Sequence, residues 1–356
     1  MERLKPGWLR GVWAALVRGG AGVLRWTAMG LWFAMVSGGH AQSGNAQSGN
    51  AQSRPAAKLE FDVASVRQNK SDDRPSSTFS LDNGNVYSTV NKGDVFTPRG
   101  SYFAATNQPL WHYIAFAYNL SGTQELALRF NYFAGLSSKA PVWVTGGFDA
   151  SADRFDITAR SDERPTKDQM RLMMQALLAD RFNLMVHRET RQAPVFALVL
   201  ARPGQTGAEL VPHPGSDACA VEPAAEGADD RASNQPAQRS TPGELPRVCG
   251  VIAHLPTSAT GHICFGGRGV MLSLLASSLP TMTGMAMIPR PVIDETGLSG
   301  RFDFTLDWVP EFNAPPDASG PNFREGLKGQ LGLKLEPRQG PVDILVIDRV
   351  EHPSAN

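Results

Sequence analysis

Apolar residues recur along this chain with two periods, and the changes of period mark its elements. Leu110, Trp111, Ile114, Ala117 and Tyr118 fall at helical spacing and predict a helix over 110–118 with one apolar face. Phe155 and Ile157 alternate with Asp156 and Thr158, the pattern of a half-buried strand. Thr166 stands three residues before Gln169, with Pro165 just outside. That spacing makes a capping box, in which a hydroxyl and an amide satisfy backbone N–H groups that a helix start leaves unpaired. Met170, Met173, Met174, Leu177 and Leu178 supply the buried stripe of the helix that follows, and Leu184 and Val186 restart period two, so this helix ends at Asn183.

The same order of patterns returns in the second half. RFDITAR at 154–160 is answered by RFDFTLDW at 301–308, and LLADRFNLMVHRE by LKGQLGLKLEPRQ. Leu272 to Leu279 corresponds to 110–118 as a leading helix, and Phe323 to Leu331 to the helix that ends at Asn183. Asn183 aligns with Gly332. Asn and Gly are the residues that best tolerate the left-handed backbone of a helix end, so the alignment predicts positive φ at both.

Each half therefore reads helix, strand, strand, helix, strand, strand. The last two strands are expected to pair as a short antiparallel hairpin, with a turn at Pro337–Pro341 in the second half and the apolar run Ile344 to Ile347 as a strand buried on both faces. Phe61, Val63 and Val66 add an opening strand. The expected class is α+β, an internally duplicated unit of antiparallel sheets covered by helices. Residues 58–200 form the first half and 250–356 the second. Residues 201–249 are dense in Pro, Gly, Ala and acidic residues and read as a partly disordered linker.

The start of the chain has a different character. Arg3, Lys5, Arg10, Arg18 and Arg25 precede the uncharged, mostly apolar stretch Trp26–Val36, and Gly39-His40-Ala41 offers small residues for cleavage. Residues 1–41 are expected to be a signal peptide, with an uncleaved N-terminal anchor as the alternative. The repeat AQSGNAQSGNAQS makes 42–57 a flexible tether. The expected location is periplasmic or extracellular, with no membrane span after cleavage. Removing residues 1–41 takes five basic and one acidic residue from 34 of each, leaving 29 and 33 and a net charge near −4. A nucleic-acid partner is thereby disfavoured, since phosphate binding rests on clustered Lys and Arg.

Three cysteines, Cys219, Cys249 and Cys264, lie in the central region. In an exported chain the odd count implies one bridge and one spare thiol. Cys219–Cys249 would close a loop of about thirty residues and contribute roughly 3–4 kcal/mol by restricting the unfolded chain; Cys249–Cys264 is the rival pairing. None of the spacings is CxxC and no histidine pair lies beside them, so no metal and no cofactor is expected.

FDVASVRQNK at 61–70, PVIDETGLSGRFDFTLDW at 291–308 and LGLKLEPRQGPVDILVIDRVEHPSAN at the end together resemble an exported paralogous family, expanded in soil Acidobacteria, that is known only as a domain of unknown function. MTGMAMIPRP at 282–291 departs from it, because family members carry a shorter Leu-Gly-Arg-Pro run there. The resemblance implies export and a multi-copy role. Members fused to sensor-type membrane metallopeptidases imply a sensory or binding part. It carries over no catalytic residue.

Candidate chemistry is sparse. His187 and Glu189 project from one strand face about 6.6–7 Å apart, as an acid/base pair or as a solvated charged face. Asp294 and Glu295 lie between an apolar strand and a Gly turn, where Asp294 would cap the turn or act as a carboxylate catalyst. Trp111, Trp143, Arg154 and Trp308 are candidate anchors of a binding surface, or supports for it. Asp156 and Asp303 recur in both halves beside Arg154 and Arg301, as expected of ion pairs or turn contacts. GxSxG, SxxK, HExxH and a phosphate loop are all missing. The expectation is a non-catalytic exported module that binds an envelope protein, peptide or glycan. The alternative is an extracytoplasmic hydrolase with an unmarked site.

Overall fold

The computed structural model describes residues 59–84, 102–130, 133–146, 152–161, 164–215, 243–246, 248–283, 288–312 and 314–353. The expected signal peptide and tether, and Cys219, lie outside them. The chain is a mixed α+β protein with two four-stranded antiparallel sheets.

In the first sheet, β1 (Val63–Asn69), β2 (Ser76–Ser77), β3 (Tyr102–Pro109) and β4 (Arg154–Arg160) run in the order β1-β4-β3-β2. In the second, β6 (Leu210–Pro212), β7 (Val251–Leu255), β8 (Ile263–Val270) and β10 (Phe302–Trp308) run in the order β6-β10-β8-β7. Helix α1 (Leu110–Ala117) leaves β3 directly, as α5 (Leu272–Thr283) leaves β8. Between α1 and β4 lie α2 (Gly122–Arg129) and α3 (Val142–Thr145). Helix α4 (Lys167–Phe182) follows β4, and α6 (Phe323–Gln330) follows β10.

The local signals explain these elements. Strands β4 and β10 alternate buried and half-buried residues along their length, as period two requires. Thr166 and Gln169 make both bonds of a capping box at α4, and Asn322 and Glu325 make both at α6. Asn183 and Gly332 have φ of 49° and 69°, both left-handed, so each chain leaves its helix by the expected route.

The short hairpin in each half is not formed. Instead β5 (Met185–Leu200) and β11 (Leu333–Arg349) are unbroken strands that pair with each other along their whole length, Leu333 opposite Leu200 and Val346 opposite His187. The expected turn at Pro337–Pro341 is straight strand facing 192–196. The swapped ribbon buries the same residues that a local hairpin would, and neither 190–194 nor 337–341 carries an Asn-Gly or Asp-Gly turn to enforce the local pairing. Pro337 and Pro341 are tolerated because β11 lies at the edge of its sheet, β11-β5-β9. The short β9 (Val292–Asp294) pairs with β5 in parallel, a second departure from the all-antiparallel expectation.

The ribbon exchanges core residues between the halves. Leu345 and Ile347 of β11 pack into the first core beside Phe155, Met174 and Phe182. Leu198 of β5 packs into the second beside Leu275, Phe304 and Trp308. A third cluster, with Val195, Ile344 and Val346, fills the ribbon's middle. Each side chain buried this fully contributes about 1.5–3 kcal/mol, so neither half is complete without the other's strand. The stretch read as a linker also begins later than expected, because Leu210–Pro212 pairs with β10 as an edge strand.

Candidate functional site

A cavity of about 220 Å³ opens between segment 82–84, the start of β7 and one face of α5. Ile252, Phe265, Leu274 and Met282 form its apolar wall, and Asp82, Ser278 and Thr281 its polar rim. Ser278 and Thr281 donate their hydroxyl hydrogens to the carbonyls of Leu274 and Ser278, at 2.7 Å each. Their oxygens are left as acceptors toward an incoming group.

The rim segment is held by α4 from behind. Lys167 Nζ, fully buried, donates to Asp82 Oδ1 at 2.5 Å, and Gly84 N–H donates to the same oxygen at 2.8 Å. Arg171 spans the segment, donating to the carbonyls of Asp82 (3.1 Å) and Gly84 (2.7 Å). Burial pulls the Lys167 ammonium below its ordinary pKa, and the Asp82 carboxylate acts against that pull. The rim segment 82–84 thus comes from the first half and the apolar wall from the second.

A second cluster lies where β6, β10 and the approach to β7 meet. His213 Nδ1–H donates to Asp303 Oδ1 at 2.6 Å, and its side chain is 3% exposed. His213 Nε2 lies 3.8 Å from Cys249 Sγ. Asp303 Oδ1 also accepts the Gly269 N–H at 2.7 Å, and Arg301 Nη1 donates to the Gly269 carbonyl at 2.8 Å. Cys249 is disulfide-bonded. Cys264 is buried and free, with burial raising its pKa to about 11, so the Cys249–Cys264 pairing is ruled out.

The residues singled out from sequence do not gather into one site, although His187 Nε2 lies 3.9 Å from Glu189 Oε2. His187 is about half-exposed on β5, where its Nδ1 lies 2.8 Å from Asp348; Glu189 accepts from Arg191 Nε and Nη2 at 2.8 Å each, which keeps its carboxyl below the usual range. Asp294 accepts the Thr296 N–H (3.0 Å) and hydroxyl (2.7 Å), a side-chain turn, and Glu295 faces Arg338 at 3.8 Å. Trp308 is fully buried against Phe265 and Phe323. Trp111 is half-buried beneath the Arg129 guanidinium, and Trp143 stacks on His352 with ring centres 4.0 Å apart. Arg154 donates to the Asn107 carbonyl at 3.0 Å.

Sequence reasoning missed Asp82 with Lys167, and His213 with Cys249. The recurrence of Asp303 was the one available signal for the second cluster. Among the described residues no group of three or more His, Cys, Asp and Glu is arranged to hold a metal ion, and no helix is long and apolar enough to cross a membrane.

Residues 112–350 match the family described as "Protein of unknown function (DUF3738)". The chain belongs to the DUF3738 family. No curated protein and no solved structure matches it. The DUF3738 match begins within α1 and ends just after β11, so it takes in the swapped ribbon, α5 and the His213–Asp303 cluster, while segment 82–84 of the cavity precedes it.

Proposed function

We propose that this DUF3738 protein is an exported, non-catalytic binding module that takes a small molecule with an apolar body and hydrogen-bond donors into the cavity between segment 82–84 and α5. The carrying observation is the wall chemistry: an apolar floor, a rim of acceptor oxygens, and a single carboxylate already neutralised by Lys167. The volume suits a ligand of a few heavy atoms more closely than a drug-sized one, for which pockets of about 300–1,000 Å³ are usual. A carboxylate tied to a buried ammonium is poorly placed for proton transfer and well placed to orient a donor.

The test is a ligand-observed NMR screen of small apolar amines and alcohols against the wild type and Ser278→Trp, with folding checked by circular dichroism. Binding to the wild type that is lost in Ser278→Trp supports the reading. Binding that survives the filled cavity, or none at millimolar ligand, overturns it. Turnover of a model hydrolase substrate that disappears in His187→Ala, Asp294→Ala or Glu295→Ala would overturn the non-catalytic part. Export predicts a mature N-terminus at or near Gln42 in a Gram-negative host; recovery of Met1 in the cytosol removes it.

A further inference from the structure

We infer that His262 is a proton-dependent latch: as an imidazolium it ties the turn 315–320 to the second sheet through both ring nitrogens, and loss of one proton releases the turn. The inference is independent of the cavity and of any ligand there. It rests on what the ring faces. Nδ1 meets the Asp307 carboxylate of β10, and Nε2 lies 3.0 Å from the Ser319 carbonyl of the turn. An ionised carboxylate and a carbonyl can only accept, so both bonds exist together only when both nitrogens carry hydrogen.

The turn is seated closely on the residues that bear the latch. A Cβ on Gly261 would lie 2.7 Å from Pro315 Cδ and 2.8 Å from Ala318 Cβ, and one on Gly320 would lie 2.8 Å from His262 Cε1. Within the turn the Ala318 N–H donates to the Pro315 carbonyl at 3.0 Å, and at its base the Val309 N–H donates to the Pro321 carbonyl at 2.9 Å. Among the described residues, the bond from His262 to Ser319 is the polar tie between 315–320 and the sheet. A neutral ring that keeps its Nδ1–H on Asp307 turns the Nε2 lone pair onto the Ser319 oxygen. Attraction then becomes repulsion, and the turn loses that tie. The turn runs on to Asn322, the N-cap of α6, so its release reaches the start of that helix.

The surrounding charges favour the protonated ring. The hydrogen bond to Asp307 raises the His262 pKa above 6.5; desolvation works against it, and the Ser319 carbonyl and the Asp307 charge add to the rise. On β8 the neighbour is the Cys264 thiol, opposite Asp307, which a pKa of about 11 keeps neutral. Glu209, just ahead of β6, acts on that thiol. The turn itself carries Asp317, and His254 of β7 lies against the Phe265 ring. Helix α6 contributes the neutral Gln330, which bonds to both main-chain groups of Asp307. The closed turn therefore binds the proton more tightly than the released one. The latch is fully closed below pH 6.5 and is lost as pH rises through the raised pKa.

The experiment uses the full chain with its histidine rings labelled with carbon-13, and the signal that disappears in His262→Gln is assigned to His262. That ring is expected to titrate above 6.5 in the wild type and at lower pH in Asp307→Asn. Hydrogen exchange of the peptide 314–321, followed by mass spectrometry from pH 6 to 9, reads the turn directly. After correction for the intrinsic rate, its protection should fall at least about threefold over that range, since each pH unit of raised pKa is tenfold in the closing equilibrium. In His262→Gln the protection should stay flat, while peptides of α4 behave alike in both proteins. A His262 ring that titrates at or below 6.5 overturns the inference, as does turn protection with the same pH dependence in wild type and His262→Gln. Where a variant fails to fold, the wild-type titration and exchange decide alone: protection that does not fall as His262 loses its proton overturns the inference equally.

Discussion

Asp156 accepts the backbone N–H of Asn107 at 2.8 Å, across from a strand that bulges at that residue. Asn107 has φ of 54°, and Gly269, with φ of 57°, occupies the corresponding bulge of the second sheet under Asp303. Arginines two residues earlier, Arg154 and Arg301, donate to the carbonyls of the same two residues. The recurring Asp and Arg therefore clamp a left-handed bulge from both sides, donor and acceptor, in each sheet.

The first prediction follows from that clamp. Asp156 also accepts the Asn69 amide at 2.8 Å, and Asn107 is buried. Asp156→Ala leaves the Asn107 N–H without its acceptor and should cost about 2–3 kcal/mol in urea unfolding. Asp156→Asn keeps an acceptor and should cost less than half as much. Equal losses for the two variants would mean that the clamp contributes nothing specific.

Asn183 and Gly332 share a left-handed φ but not a steric environment. A Cβ on Gly332 would lie 2.5 Å from the Gly207 nitrogen, a backbone atom that cannot turn away. Gly332→Ala is therefore expected to destabilise by more than about 2 kcal/mol, combining strain with a clash. Asn183→Gly should be neutral within about 0.5 kcal/mol, since Gly accepts the same conformation. Thermal and urea unfolding of the two variants decide the matter; a tolerated alanine at 332 would contradict the packing of segment 206–207 on this turn.

Much of the fold was legible because it was written in local signals: the capping box at Thr166 and Gln169, the alternation of β4, the pair Asn183 and Gly332. Pairing partners were not. Val195–Leu200 satisfies its pattern equally well against 184–187 or against 333–338, so the choice rests on non-local closure that periodicity does not encode. The site was less legible still. Lys167 reads as the first residue of a helix and Asp82 as a loop aspartate, and only the packing of α4 behind segment 82–84 makes them a pair. His213 sits in a compositionally biased region, where nothing in the spacing marks it as a partner for Asp303 ninety residues later.

The Asp82–Lys167 pair gives a third prediction. Lys167 is completely buried on its side-chain atoms, whereas Asp82 is one-third exposed. Asp82→Ala strands an ammonium in the interior and should destabilise by about 3–5 kcal/mol. The double variant Asp82→Asn, Lys167→Met removes both charges and should recover a large part of that loss. A double-mutant cycle in denaturant measures the coupling; additive single effects would show that the pair is not what holds the cavity wall.

The last prediction concerns acid. His112 is largely buried on α1, its Nδ1 lying 2.8 Å from Gln108 Oε1. Burial, reinforced by the nearby Arg129 guanidinium and opposed by Asp82, lowers its pKa from 6.5 to about 4. The folded protein thus binds this proton more weakly than the unfolded chain does. Above pH 7 neither state carries the proton and His112 leaves stability unchanged. As pH falls from about 6.5 to 4 the unfolded state is protonated first, so stability drops across that window, by at most about 3 kcal/mol for the full shift. His112→Gln cannot titrate, and its stability should fall less steeply over the same interval. The measurement is urea unfolding of wild type and variant at half-unit steps from pH 7.5 to 4. The gap in wild-type stability relative to the variant should widen steadily below pH 6.5 and stay flat above it. Parallel curves throughout would mean that the folded protein protonates His112 as readily as the unfolded chain.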